Sequence, residues 1–524
     1  MKRQCVDGAL DAAHPGLCFH REVLTYLRWS AIRRDFLEAL QASPHLRFIE
    51  PKKLWRHSQE ALGKWVLSQV ARDTRGDRDA ALSVSFFPTR AMLSSGTYDE
   101  QLIRDISLKC ESSGTPTVVA KIKQLIASFN LSRRCEDAAA EVLQELESAS
   151  PSIYCTPSLR IIDAAEVGSR TGSQRRVHGA IAEISVRQPK HVRHGCPPVS
   201  IPLAAYKKLE MCYKHFAEKT DGERYPRLDY GNRFLLRAAT IALRYEGCLA
   251  TGSLQLCADT SLKQHLHAAG YHVMDLCASP INAYMGSPKT GSYNNNEDSS
   301  LEGEKVPNHF CSAFPDTDCY FGSLGSALKF DVEAAYNSPV VNPEKKPLLL
   351  TLDVPYDEDL CERLFSKLVN DMQQAASKMM IANEKQLPPP FIVDYVLVLP
   401  LWWDLPMERK KLLFTTSGGP PLSSDEEETS MDAIVKERSA VLNNGYTVPY
   451  EWPQRLAKTA GKSWVCFDGI FVGDSYKCFC TITNKWIPGV TATEVIGLAQ
   501  PRATADGGQL LETLFASFYG TQQA

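Results

Sequence analysis

The sequence predicts an α/β protein whose N-terminal part is mainly helical, and three observations carry that prediction. From residue 15 to about residue 230, apolar residues recur at helical spacing. Beyond residue 231, short apolar runs alternate with helical segments, the pattern of a mostly parallel sheet. Those runs, such as "PLLLTLDV" from 347, are continuous rather than alternating, as strands buried on both faces require.

The helical part, 1–230, opens with "REVLTYLRWSAIRRDFLEALQ" and continues through "TPTVVAKIKQLIASF" to "SIPLAAYKKLEMCYKHFAEK". In the last segment Leu203, Tyr206, Leu209, Tyr213 and Phe216 form one apolar face, with Ser200 available as N-cap. Just before it, residues 175–195 hold Arg175, Arg176, Arg187, Lys190 and Arg193 against Glu183 alone, which suits either a solvated face or a phosphate-binding surface. The α/β part, 231–415, has its apolar runs at 271, 347 and 391. Two polar stretches, 286–305 within this part and the acidic 416–432 after it, are expected to be mobile surface insertions, because they bury too little apolar surface to offset ordering entropy. The remainder, 433–524, is expected to complete the sheet.

Bulk properties narrow the classes. Hydrophobic residues are 44% and charged residues 23%, which excludes a disordered or fibrous chain. A net charge of −3 argues against a uniformly basic surface and leaves room for a local basic channel. The start, "MKRQCVDGALDAAHP", lacks an apolar signal core, and no window is apolar enough to span a membrane, so a soluble intracellular chain is expected. The 16 cysteines lack paired CxxC spacing; Cys478 and Cys480 make at most half a site, so reduced thiols and no metal are expected. No GxGxxG is present to support a nicotinamide site.

The run at 347 ends in Asp353, Val354, Pro355 and Tyr356, and an acid-rich helix start with Leu360, Leu364 and Leu368 on one face follows. Functional groups collect at such carboxyl ends. The tetrad resembles the (D/N)PP(Y/F/W) element of amino-directed adenine methyltransferases. An exocyclic adenine amine is a poor nucleophile because its lone pair is delocalised. Accepting its hydrogens on a carboxylate and a backbone carbonyl favours an sp³-like nitrogen, at about 1.5 to 3 kcal/mol per charge-assisted bond. Proline fixes the carbonyl, and the aromatic ring stacks on the base for about 1 to 3 kcal/mol.

Upstream, "YHVMDLCASPINAYM" at 271–285 and "HFCSAFPDTDCYFGSLGSALKF" at 309–330 closely resemble the phosphorylated-CTD-interacting factor family, the cap-specific adenosine N6-methyltransferases. The pieces occur in the family's order, and weaker similarity extends over about residues 195–405, through "RFLLRAATIALRY" and "VLVLPLWWD". The resemblance implies a Rossmann-like S-adenosylmethionine-dependent methyltransferase domain with an N-terminal helical domain, acting in mRNA capping in the nucleus. It assigns Asp353, Val354, Pro355 and Tyr356 to catalysis. It assigns Asp275, Ala278, Ser279, Asn282, Asp316, Asp318, Phe321 and Gly322 to S-adenosylmethionine, with an Asx-type turn as the lesser alternative for Asp316 and Asp318. Two departures stand out: Asp353 and Val354 replace the family's asparagine and first proline, and an insertion separates the first two motifs.

The implied partner is a capped RNA 5′ end, whose unpaired adenosine needs no duplex opening. Candidate RNA contacts are Arg187, Lys190, Arg193, Arg244, Tyr450, Trp452 and Arg455, with Lys458 beside them; aromatics suit a methylated guanine and cations its triphosphate. For Tyr450 and Trp452 a satisfied core strand is an equal reading. Trp55 and Trp65, ten residues apart, stand too close for the family's WW module, so recruitment by RNA polymerase or capping enzymes has no such support. Two other readings stay open: a capped-RNA binder whose altered tetrad has lost turnover, and an adenine methyltransferase acting on internal RNA or DNA sites.

Overall fold

The computed structural model describes residues 13–47, 49–72, 86–88, 100–107, 116–147, 156–163, 180–187, 198–249, 254–256, 260–286, 306–353, 358–385, 391–400, 464–471, 477–480, 485–488, 493–500 and 506–522. Val354, Pro355, Tyr356, Lys190, Arg193, Tyr450, Trp452, Arg455 and Lys458 lie outside the described residues, as do nearly all of 286–305 and all of 416–432. The chain forms two units. The first is Met1–Leu254 with Ala313–Ser323 and Cys480–Lys485; the second is Gln255–Ser312, Leu324–Phe479 and Trp486–Ala524.

The first unit is built on helix α1 (Pro15–Ala42), whose first eleven residues are buried all round. Pro15 sits where its missing N–H costs nothing, and the His14 ring accepts from the Gly16 amide. Helices α2 (Pro51–Arg72), α3 (Glu100–Ser107), α4 (Pro116–Phe129) and α5 (Leu131–Glu147) follow. Strands β1 (Thr156–Ile162), β2 (Ile181–Arg187) and β3 (Val199–Pro202) then form an antiparallel sheet in the order β1-β2-β3. Helical periodicity gave no hint of these strands. Ser200 lies within β3 and caps nothing; helix α6 (Leu203–Phe216) starts after Pro202, which makes no side-chain cap bond. Helices α7 (Glu218–Arg224) and α8 (Tyr230–Ala242) complete the group, and Asp229 caps α8 by accepting from the Asn232 amide at 2.7 Å. A π-helix, Leu243–Leu249, extends α8, and the Cys248 carbonyl accepts from the Trp29 indole at 2.8 Å. These ties keep residues 231–254 in the helical unit, so the boundary falls later than the expected 231.

The second unit carries a five-stranded sheet. Strands β4 (His272–Asp275), β5 (Leu348–Asp353) and β6 (Val393–Pro400) are parallel neighbours; β8 (Thr493–Leu498) pairs antiparallel with β6, and β7 (Val465–Phe471) antiparallel with β8. One face of the parallel strands packs Val273, Leu349, Val396 and Val398 against Leu262 and Leu266 of helix α9 (Thr260–Ala268) and Leu511 and Phe515 of helix α12 (Asp506–Gln522). Between them lie α10 (Val332–Asn337) and the crossover helix α11 (Glu358–Glu384), which buries Leu360, Leu364 and Leu368 as its spacing predicts. Tyr395, facing the opposite way on β6, donates to Asp371 of α11 at 2.9 Å. Among the described residues no helix is long and apolar enough to cross a membrane, and no cluster of His, Cys, Asp and Glu is arranged to hold a metal ion.

Candidate functional site

The strand register brings two predicted acids to one edge. Asp275 ends β4 opposite Thr351, and Asp353 ends β5 two residues farther along. Side chains two residues apart share a face, so Asp275, Thr351 and Asp353 project to the same side, the last about 6 to 7 Å beyond its neighbour. The remaining face residues of these strands, Val273 and Leu349, are apolar and buried. A face that is apolar along its length and acidic at its carboxyl end answers why a buried strand finishes in aspartate: the edge suits a polar ligand.

Asp275 is buried, and its carboxylate is fully engaged. One oxygen accepts from Lys263 of α9 and from the Thr351 hydroxyl, and the other from the Tyr284 amide at 2.7 Å. Burial acts to raise its pKa, but the Lys263 charge and these hydrogen bonds outweigh it and hold the carboxyl below its ordinary value. Asp353 is half-buried, and its charge is felt at Cys277. Burial first, then Cys311, Asp353 and Asp275, push the Cys277 thiol far up; burial also lifts Cys311 to about 12, against the pull of Lys367. Both are inert thiols rather than nucleophiles.

The segment after β4 is pinned by its backbone. The Cys311 amide donates to the Asp275 carbonyl at 2.8 Å, and the Ala278 amide to the Cys311 carbonyl at 3.0 Å. Ser279 and Asn282 close a turn on each other: the Ser279 amide and hydroxyl donate to Asn282 Oδ1 at 2.7 and 3.0 Å, and the Ala283 amide donates to the Ser279 carbonyl. Asp275, Ala278, Ser279 and Asn282 therefore stand together in the second unit.

Asp316, Asp318, Phe321 and Gly322 belong to the first unit. Asp316 accepts from Arg21 at 2.8 Å and from Arg244 at 3.3 Å, and Arg244 also grips both oxygens of Glu22. Asp318, wholly buried, accepts from the Tyr245 hydroxyl at 2.6 Å and the Thr317 hydroxyl at 2.8 Å. Phe321 is buried beside Tyr213. Gly322 has φ +103°, and a Cβ there would stand 2.4 Å from the Phe216 ring, so both backbone and space demand glycine. Arg244 was expected to touch RNA; its side chain is buried between Glu22 and Asp316, so it is an internal ion-pair residue instead. Arg187 is exposed at the end of β2, where a phosphate could reach it.

Two residues of the Asp275 corner escaped the sequence reading: Thr351 and Lys263. Lys263 had a signal, since it stands among Leu262 and Leu266 on the apolar side of α9, a position that needs a buried partner.

The second unit is thus an α/β fold with two acids at the carboxyl ends of adjacent parallel strands. Residues 208–404, which contain both acids, match the family model described as "Phosphorylated CTD interacting factor 1 WW domain", so this stretch is similar to the phosphorylated-CTD-interacting factor family. No curated protein matches the chain. The described part of the matched stretch forms most of α6, then α7 to α11, the π-helix and β4 to β6, whereas Trp55 and Trp65 lie outside it on the single helix α2.

Proposed function

We propose that the chain is an S-adenosylmethionine-dependent methyltransferase of Rossmann-like type that modifies N6 of the cap-adjacent adenosine of RNA in the nucleus. The observation that carries this reading is Asp353 beside Asp275 on one face, at the carboxyl ends of adjacent parallel strands, within the family-matched stretch. S-adenosylmethionine supplies a methyl group on a sulfonium, already a good leaving group. Asp353 accepts one amine hydrogen and so steers the nitrogen lone pair; a tetrad carbonyl accepts the other, Pro355 stiffens that backbone, and Tyr356 stacks on the base. Holding the reacting atoms in line supplies much of the remaining acceleration, with no strong base required.

The donor set at the edge as a whole fits such a cofactor. Asp275 already holds an ammonium, that of Lys263, so it orders the β4 turn and leaves ligand contacts to its surroundings. This same ion pair, together with Val354 in the tetrad, favours a second reading: a capped-RNA binder without turnover. Labelled S-adenosylmethionine and capped RNA beginning in adenosine separate the two. Transfer is expected, with mass analysis of the 5′ nucleotide giving site and methyl number, and Asp353→Ala is expected to remove it while leaving cofactor affinity, read by calorimetry, within a few-fold. Cofactor binding without transfer to any adenine refutes the first reading, and equal activity on uncapped RNA moves the substrate to internal sites.

A further inference from the structure

We propose that the exposed first turns of α2 are a binding site for single-stranded nucleic acid, with Trp55 as a stacking platform and Lys52, Lys53 and Arg56 as phosphate contacts. The helix makes this end unlike the rest of itself. Ala61, Leu62, Trp65, Val66 and Val70 are buried, and already in the first turns Leu54, Ser58 and Gln59 face inward. What remains outside is basic and aromatic: Lys52, Lys53, Trp55 and Arg56 are exposed. Trp55 is 51% exposed, while Trp29, Trp65 and Trp464 are each at 3% or less, so among the described residues this indole is the exposed tryptophan.

The charge around it is complementary to a polyanion. Beside these three cations in sequence stand exposed Glu50 and Glu60. Arg56 lies 3.7 Å from Glu60, a solvated contact of small worth, whereas Lys52 and Lys53 have no carboxylate partner among the described residues. Residues three and four apart on a helix are neighbours at about 5 to 6 Å, so Lys52 stands beside both Trp55 and Arg56. A flat ring set among cations matches the alternation of base and phosphate in an unpaired strand, where stacking is tolerant of sequence and charge tracks the backbone. An anionic membrane would need an apolar stripe, and Leu54 is turned inward.

This site does not depend on methyl transfer, and its test uses neither cap nor cofactor. Binding of a short fluorescein-labelled oligouridylate to the full chain is followed by anisotropy across a salt series, with heparin, a polyanion lacking bases, as the contrast. Trp55→Ala is expected to weaken RNA binding about tenfold and leave heparin binding unchanged, with Trp55→Phe recovering most of the loss. Lys52→Gln with Lys53→Gln is expected to weaken both ligands and reduce the magnitude of the log–log salt slope for RNA by about 1.4. Wild-type RNA affinity and slope in these variants, or equal loss of heparin binding in Trp55→Ala, overturns the proposal.

Discussion

Asp275 in one unit and Asp316 in the other are both buried acids from motifs that read as ligand sites, yet they are held in different ways. Asp275 meets one lysine, one hydroxyl and one backbone amide, so a point charge and two neutral donors share the work. Asp316 meets two arginines, one of which also binds Glu22 through both of that residue's oxygens. The first is a local lock on a turn beside a sheet edge. The second ties α1, the π-helix and the Pro315–Asp318 turn together through planar guanidinium forks, a geometry that lysine cannot reproduce. An acid in a motif is therefore not yet a ligand group; its partners decide.

The largest effect is expected where most charge is stranded. Arg244→Met leaves Glu22 and Asp316 without a shared counter-ion, and although Arg21 still reaches Asp316, the loss should approach about 5 kcal/mol in urea unfolding. Arg244→Lys should recover little of it. Lys263→Met strands a single carboxylate that keeps Thr351 and the Tyr284 amide, for a loss of about 3 kcal/mol at neutral pH. The two variants should then part on acidification. In the wild type the depressed Asp275 pKa contributes stability above the unfolded value, lost as pH falls through the folded one. Without Lys263 burial dominates, the folded pKa rises above the unfolded one, and Lys263→Met should regain stability relative to wild type as pH falls. A constant gap between the two proteins at every pH would place the ion pair's worth elsewhere.

That division also shows what the sequence could disclose. The parallel strands and the α11 apolar face were legible, because continuous apolar runs and helical spacing report burial directly, whereas the grouping of Asp275 with the Ser279–Asn282 turn came from the family resemblance. The β1–β3 sheet was not: "IAEISVR" is a short strand that reads equally as charged surface. The fate of Arg244 was hidden for a related reason. Its partner Glu22 stands 222 residues away, and a buried arginine has the same letters around it as an exposed one. Lys263 was nearer to being readable, since only pairing explains a lysine among leucines.

The smallest expected effect comes from a group that excludes charge rather than holding it. His272, at the start of β4, has its pKa lowered to about 4, first by burial, then by His309, His267 and Lys346, with Glu344 acting in the opposite direction. In the unfolded chain the imidazole titrates near its ordinary 6.5. Below that pH the unfolded state takes a proton that the folded state refuses, so stability should decline from about pH 6.5 down to about 4 and then level. His272→Asn should flatten this part of the profile and leave the more acidic, Asp275-linked part intact. If instead both segments change together, the β4 amino end and its acidic carboxyl end titrate as one coupled cluster, and the local lock at Asp275 extends along the whole strand.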